Sequence, residues 1–286
     1  FTHYLPDEHG NSLSYHNVHA LCMDGDDLWI GTYTGGVNVL NTKTGVFRVY
    51  TTKAGDPTTL DRSSSYAIFK DREARIWVTS MSGVNLYNRE EDNFTRIRDL
   101  GSWIMDIDQD ADGNIWFSSQ GNGLFKYDPD KQEWTNYVHS SAPGALINDQ
   151  VNCVLIDGNG EMWIGTMNGL CKYNAKEDQF ELIPLDIPSR NICAIIEDQR
   201  VLWLTTTKGL VRYVPGESCQ VFTRSDGLQS EQFLVNAALK ASDGKIYIGS
   251  VNGFNAFYPY QIKTNKVLPP VIITGLEVFN KEIRIG

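Results

Sequence analysis

The chain has 286 residues, 41% of them hydrophobic, which is long enough for one large domain with a buried core or for two modest ones. Its net charge of −10, with no basic stripe, excludes a nucleic-acid footprint and disfavours docking on an anionic membrane surface. No apolar run approaches the ~20 residues of a membrane span.

Five cysteines are present, an odd number with no Cys-x-x-Cys pair. Cys22, Cys153 and Cys193 lie in apolar runs and read as small core residues, while Cys171 and Cys219 add no metal spacing. Phe1-Thr2-His3-Tyr4 carries no signal-peptide pattern and reads as the interior of a domain, so the sequence is expected to be a fragment.

Taken in chain order, one unit recurs. Trp29-Ile30-Gly31-Thr32 is followed by Gly35-Gly36-Val37, and Trp77-Val78-Thr79-Ser80 by Gly83-Val84. Trp116-Phe117-Ser118-Ser119 is followed by Gly123-Leu124, and Trp163-Ile164-Gly165-Thr166 by Gly169-Leu170. Trp203-Leu204-Thr205-Thr206 with Gly209-Leu210, and Tyr247-Ile248-Gly249-Ser250 with Gly253-Phe254, complete the series. From Trp29 to Tyr247 the steps are 48, 39, 47, 40 and 44 residues, the length of one propeller blade. The hydrophobic period is two, so helical repeats are excluded.

Each unit predicts four strands. The first is a short apolar run: Val18 to Cys22, Ile104 to Ile107, Val151 to Ile156, Ile192 to Ile196. A turn such as Asp110-Ala111-Asp112-Gly113 leads to the Trp strand, because Gly supplies positive φ and Asp bonds back to the turn. The third strand follows the Gly turn. The fourth starts with an aromatic: Phe47 to Tyr50, Phe94 to Ile97, Trp134 to Tyr137, Phe180 to Ile183. A large aromatic at one repeated position fills the wedge between neighbouring blades, and Leu124, Leu170 and Leu210 serve the same core.

The fold class is therefore an all-β propeller of six visible four-stranded blades over residues 1–266. The sixth unit lacks a fourth strand, and Phe1 to Tyr4 matches Phe47 to Tyr50 and Trp134 to Tyr137. Either that N-terminal strand closes six blades, or a larger ring of seven has been cut. Beyond the break at Leu268-Pro269-Pro270, residues 267–286 read as a β-strand stub opening a second domain.

The unit of apolar strand, Asp turn, Leu/Ile-Trp-Ile-Gly-Thr, Gly-Leu, Tyr and Phe-x-x-Tyr resembles the regulator-propeller repeats of hybrid two-component sensor histidine kinases. The Pro269-Pro270-Val271-Ile272-Ile273-Thr274 to Val278-Phe279-Asn280 stretch resembles the start of the three-tyrosine, immunoglobulin-like domain that follows such propellers. The resemblance implies a periplasmic sensing module of an inner-membrane receptor. It also implies a membrane helix and a kinase elsewhere, with phosphoryl transfer belonging to the longer protein.

No enzymatic constellation emerges. His16, His19 and Cys22 invite a metal, but strand alternation turns His19 away from the other two. Gly121-Asn122-Gly123 lacks the third glycine of a dinucleotide loop, and no Gly-x-Ser-x-Gly or His-Glu-x-x-His is present. Asp106 with Asp108, and Asp110 with Asp112, fall at strand ends and turns rather than as a glycosidase pair. The chain is expected to be no enzyme and to hold no metal or cofactor.

A ligand is expected at the channel mouth, where the loops entering strand one meet those between strands two and three. The first set supplies His16, Asn17, Ser64, Ser65, Trp103, Gln150, Arg190, Asn191 and Gln232; the second supplies Tyr33, Gln120, Met167, Asn168 and Lys208. Trp103 and Tyr33 suit a sugar face and Arg190 a carboxylate or sulfate. The expected partner is an oligosaccharide or other small ligand. The alternatives are a homodimerising protein-interaction platform without a small ligand, and a propeller lyase or glycosidase.

Overall fold

The computed structural model describes residues 2–7, 10–217, 219–262 and, as backbone, strands within 276–283. The chain forms six blades, each a meander of antiparallel strands. The first is β1 (Val18–Asp24), β2 (Asp27–Thr32), β3 (Val37–Asn41) and β4 (Phe47–Tyr50); the second is β5 (Ile68–Lys70), β6 (Ile76–Thr79), β7 (Gly83–Asn88) and β8 (Asn93–Asp99). The third is β9 (Ile104–Gln109), β10 (Ile115–Ser119), β11 (Leu124–Asp128) and β12 (Glu133–Tyr137). The fourth is β13 (Val151–Ile156), β14 (Met162–Thr166), β15 (Gly169–Asn174) and β16 (Gln179–Ile183). The fifth is β17 (Ile192–Asp198), β18 (Val201–Thr206), β19 (Gly209–Tyr213) and β20 (Gln220–Phe222). The sixth holds three described strands, β21 (Phe233–Lys240), β22 (Ile246–Ser250) and β23 (Gly253–Phe257). A separate hairpin, β24 (Leu276–Val278) with β25 (Lys281–Ile283), is all that is described of the expected second domain.

The recurring aromatic is the core of every filled junction. Trp29, Trp77, Trp116, Trp163 and Trp203 are each 2% exposed or less. Each is buried by the apolar face of the next blade: Trp29 by Leu60, Ile68, Ile76, Val78 and Phe94, and Trp116 by Leu146, Val154, Met162, Ile164 and Phe180. The same holds for Trp77, Trp163 and Trp203. Leu124, Leu170 and Leu210 are buried as expected.

The rest of the motif is explained by satisfaction of polar groups. Asp71, Asp110 and Asp157 stand six residues before their Trp, and their carboxylates accept the indole N–H at 2.8, 2.8 and 3.0 Å. In the first and fifth blades the hairpin is one residue shorter. There Asp24 and Asp198 pair instead with Lys70 and Lys240 of the next blade, both at 2.9 Å. The Trp29 and Trp203 indoles have no partner among the described residues. In four of the five Trp strands the terminal hydroxyl donates to the carbonyl of the following turn glycine: Thr32 to Gly36, Ser119 to Gly123, Thr166 to Gly169 and Thr206 to Gly209, at 2.8–2.9 Å. A Cβ on Gly36 or Gly123 (both φ +77°) would lie 2.0 Å from the carbonyl oxygen of Tyr50 or Tyr137.

Outer rims are clasped as well. Asp92 accepts both Tyr50 and Tyr87 hydroxyls at 2.5 Å, joining the first two blades. Asp178 accepts Tyr137 and Tyr173 at 2.7 and 2.5 Å, joining the third and fourth. Burial, and then the Asp178 carboxylate, push the Tyr173 hydroxyl up to about 12.

Among the described residues no N-terminal strand completes the sixth blade, one of the two closures that the sequence leaves open. Phe1 lies outside the described residues, and residues 2–7 form no strand. Tyr4 instead packs edge-on against Phe47 of the first blade, with ring centroids 5.7 Å apart. Among the described residues no hydrophobic cluster spans the sixth and first blades. Leu13, Ile30, Leu40 and Phe47 form a cluster of the first blade alone. Phe254, in the slot of the buried Leu124, Leu170 and Leu210, is 60% exposed, and Leu21 of the first blade and Leu239 of the sixth are exposed as well.

Asp157→Ala is expected to destabilise the protein by about 1–3 kcal/mol, because it orphans a buried indole N–H. Asp198→Ala, at a half-exposed ion pair, is expected to cost at most about 1 kcal/mol. Urea denaturation of the two variants checks the contrast; equal losses would contradict the role given to the six-residue spacing.

Candidate functional site

At one end of the channel, the loop entering strand one is tied to its own blade's turn between strands two and three in five of the six blades. The Tyr33 amide donates to the Asn17 carbonyl at 3.0 Å, Gln120 to Trp103 at 2.9 Å, Met167 to Gln150 at 3.0 Å and Val251 to Gln232 at 3.2 Å. In the fifth blade the Ser189 and Thr207 hydroxyls meet at 2.7 Å. Both loop sets therefore stand at one mouth.

A local irregularity shapes that mouth. Register shifts break the pairing between Val18 and Ala20, between Ile104 and Asp106, between Val151 and Cys153 and between Ile192 and Ala194. The residue left over is His19, Met105, Asn152 or Cys193. Such a bulge re-aims its side chain out of the strict alternation. His19, which alternation sends away from the ligand loops, thus meets Tyr33 and Tyr66 with ring centroids 5.9 and 4.8 Å apart. Tyr66 occupies the same slot in the second blade.

Tyr66 is the centre of the group. It is 5% exposed, and Trp103 stacks on it at 5.4 Å with 17° between the planes. Tyr33 meets it edge-on at 6.5 Å. The outer members, Trp103 at 42% and Tyr33 at 38%, keep much of their surface in solvent. Burial holds the Tyr66 hydroxyl above, and the His19 imidazole below, their ordinary pKa values. The platform is thus uncharged near neutral pH. Next to it, Gln120 and Gln150 form a bridge between the third and fourth blades.

The other expected residues divide. The His16 ring packs on Tyr15 at 4.4 Å instead of joining the platform. Ser64 and Ser65 are buried, and the Ser65 amide donates to Thr32 at 2.9 Å, so this pair seals the first two blades. Asn191 accepts the Asn152 amide at 2.8 Å and is likewise committed to a blade junction. Met167, Lys208 and Gln232 are exposed at the mouth on the fourth, fifth and sixth blades. Arg190 and Asn168 border a separate groove of about 350 Å³, floored by Leu170, Leu182, Leu185 and Ile187. Sequence reasoning missed His19 and Tyr66, because each reads as part of an apolar strand run. Among the described residues no group of three His, Cys, Asp or Glu side chains is poised to hold a metal ion.

Comparison with known proteins follows this geometry. Residues 12–34 and 145–168 match the family described as two component regulator propeller. A histidine kinase of Formosa agariphila is 24% identical over 341 aligned residues, covering 96% of this chain and 24% of that protein. The extracellular domain of a hybrid two-component system from B. thetaiotaomicron superposes with a TM-score of 0.76 at 23% identity, over 88% of this chain and 35% of the other. Virginiamycin B lyase from Staphylococcus aureus shares the fold with a TM-score of 0.64 at 11% identity, over 91% of this chain and 88% of that one. The chain thus spans about a quarter of the curated relative and about a third of the extracellular domain. The repeats, the histidine-kinase relative and the fold shared with those extracellular domains support a regulator-propeller region.

Proposed function

We propose that this propeller is the ligand-sensing part of a periplasmic receptor region and that it recognises an oligosaccharide at the mouth formed by the first four blades. The observation that carries the reading is the half-exposed Trp103 stacked on a buried Tyr66 beside Tyr33. An aromatic face held rigid by a buried ring offers a flat apolar surface at low entropic cost, which suits the C–H face of a sugar. Gln120 and Gln150 supply donors and acceptors at its edge. Binding here involves no covalent chemistry, and kinase activity belongs to other parts of a longer protein.

Isothermal titration of the 286-residue chain with a panel of neutral and acidic oligosaccharides tests this. At least one is expected to bind, and Trp103→Ala is expected to weaken it about 10- to 100-fold, the equivalent of about 1.4–2.8 kcal/mol. Heat from no member of the panel, or binding indifferent to Trp103→Ala, would overturn the reading. In the unliganded protein, Trp103→Ala is expected to cost under about 1 kcal/mol of stability and Tyr66→Ala about 3–5. Urea denaturation of both variants checks the division between platform and backing.

A second reading, a platform for self-association, draws on the exposed Leu21, Leu239 and Phe254 that flank the sixth junction. On this reading sedimentation gives a dimer that Phe254→Ser weakens. A monomer at high micromolar concentration removes it.

A further inference from the structure

One inner strand leaves the repeat and reaches across the channel. In β21 the pairing with β22 jumps from Phe233–Ser250 to Ala238–Ile248, so Leu234, Val235, Asn236 and Ala237 stand against the single residue Gly249. The inner-strand bulges of the first, third, fourth and fifth blades each leave over one residue. Two residues permit the larger excursion. Asn236 has φ +54°, a left-handed conformation that asparagine tolerates better than most residues with a Cβ. Gly249 has no Cβ, and one placed there would lie 2.9 Å from that of Ala237, closer than side chains pack.

The excursion carries β21 inward. It lies against β17 of the neighbouring fifth blade, as the repeat requires, and also against β13 and β9 of the fourth and third. The Asn236 side-chain amide donates to the Met105 carbonyl, 131 residues away in sequence. Met105 is the residue that the bulge of β9 leaves unpaired, and it stands two places after Trp103. The left-over residue of the fourth blade, Asn152, bonds to its adjacent blade, donating to Asn191 at 2.8 Å and to the Ile192 carbonyl at 2.7 Å. The third blade is instead tied to the sixth, with the fourth and fifth between them in the series.

We propose that Asn236 is a positioning residue for the aromatic platform, a strut that fixes the start of β9 behind Trp103 and brings the sixth blade into the recognition site. The proposal rests on the reading of Trp103 as the ligand face. The Trp103 ring is backed by Tyr66, and its carbonyl accepts the Gln120 amide at 2.9 Å. The next stretch of β9 is where the ladder to β10 fails, because a bulge leaves its extra residue without a partner strand. A donor from across the channel supplies the missing anchor. The chain on which Trp103 stands then has two fixed points, Gln120 before the bulge and Asn236 at it. Holding an apolar face in one orientation before binding reduces the ordering that association costs.

Two variants remove the donor and keep the backbone free to adopt the same φ: Asn236→Gly, and Asn236→Asp, which also keeps the size. In the ligand-free chain each is expected to shift or broaden the Trp103 indole ¹⁵N signal while Trp29 and Trp163, wedges away from the sixth blade, hold theirs. A role confined to holding the sixth blade would disturb Trp203 at the fifth–sixth junction with Trp103 unmoved, and that result overturns the proposal. In titration with the oligosaccharide panel, any member that binds the native chain is expected to bind Asn236→Gly about three- to tenfold more weakly, the range of about one neutral hydrogen bond. Binding weakened by Trp103→Ala but unchanged by Asn236→Gly overturns the strut and leaves the sensing reading standing. If no member binds the native chain, the sensing reading falls, and the Trp103 signal of the ligand-free variants still decides whether Asn236 positions that ring.

Discussion

The whole molecule depends on burying one large aromatic per blade. A four-stranded meander has two faces and cannot cover either by itself, so its Trp remains a liability until the next blade's apolar face closes over it. That coupling makes neighbouring blades interdependent. It also explains why the most regular residues carry the least information about a ligand. Each wedge Trp is sealed away from solvent, several with the indole N–H spent on an aspartate of the same hairpin. Recognition is left to loops that the packing does not constrain.

The departures from the repeat are correspondingly informative. Where a bulge interrupts strand one of the first blade, the left-over His19 meets Tyr33 and Tyr66, and Trp103 of the third blade stacks on Tyr66. Where apolar slots become Asp106 and Asp108, a greasy seam becomes a hydrogen-bonded one. Where the series ends, Phe254 stays in solvent at a position that its counterparts bury. Each change shifts the balance between packing and solvation at one junction and leaves the other blades unaltered.

Much of the architecture was legible in the sequence. The Trp spacing, the period of two and the Gly turns pointed to six blades, and Leu124, Leu170 and Leu210 after their turns pointed to the core. The site was legible in part. Trp103 and Tyr33 stood out as aromatics in loops, but His19 and Tyr66 did not, because each adjoins an apolar strand run and, at His19, alternation fails at a bulge that no residue type announces. Ser65 and Asn191 looked like loop polar groups and are spent on blade junctions, a difference that only neighbours distant in sequence decide. Phe1 to Tyr4 had the pattern of an outer strand, yet the Tyr4 ring found its apolar contact on Phe47. The two acids of the third blade read as turn residues, because the strand whose amides they accept lies more than 40 residues later.

The division of labour between wedge and mouth has a direct spectroscopic test. The chain has seven Trp, so its ¹⁵N spectrum carries seven indole signals. Addition of a binding oligosaccharide is predicted to shift Trp103 strongly while Trp29, Trp77, Trp116, Trp163 and Trp203 stay in place. Movement of the wedge indoles with Trp103 unmoved would contradict the account.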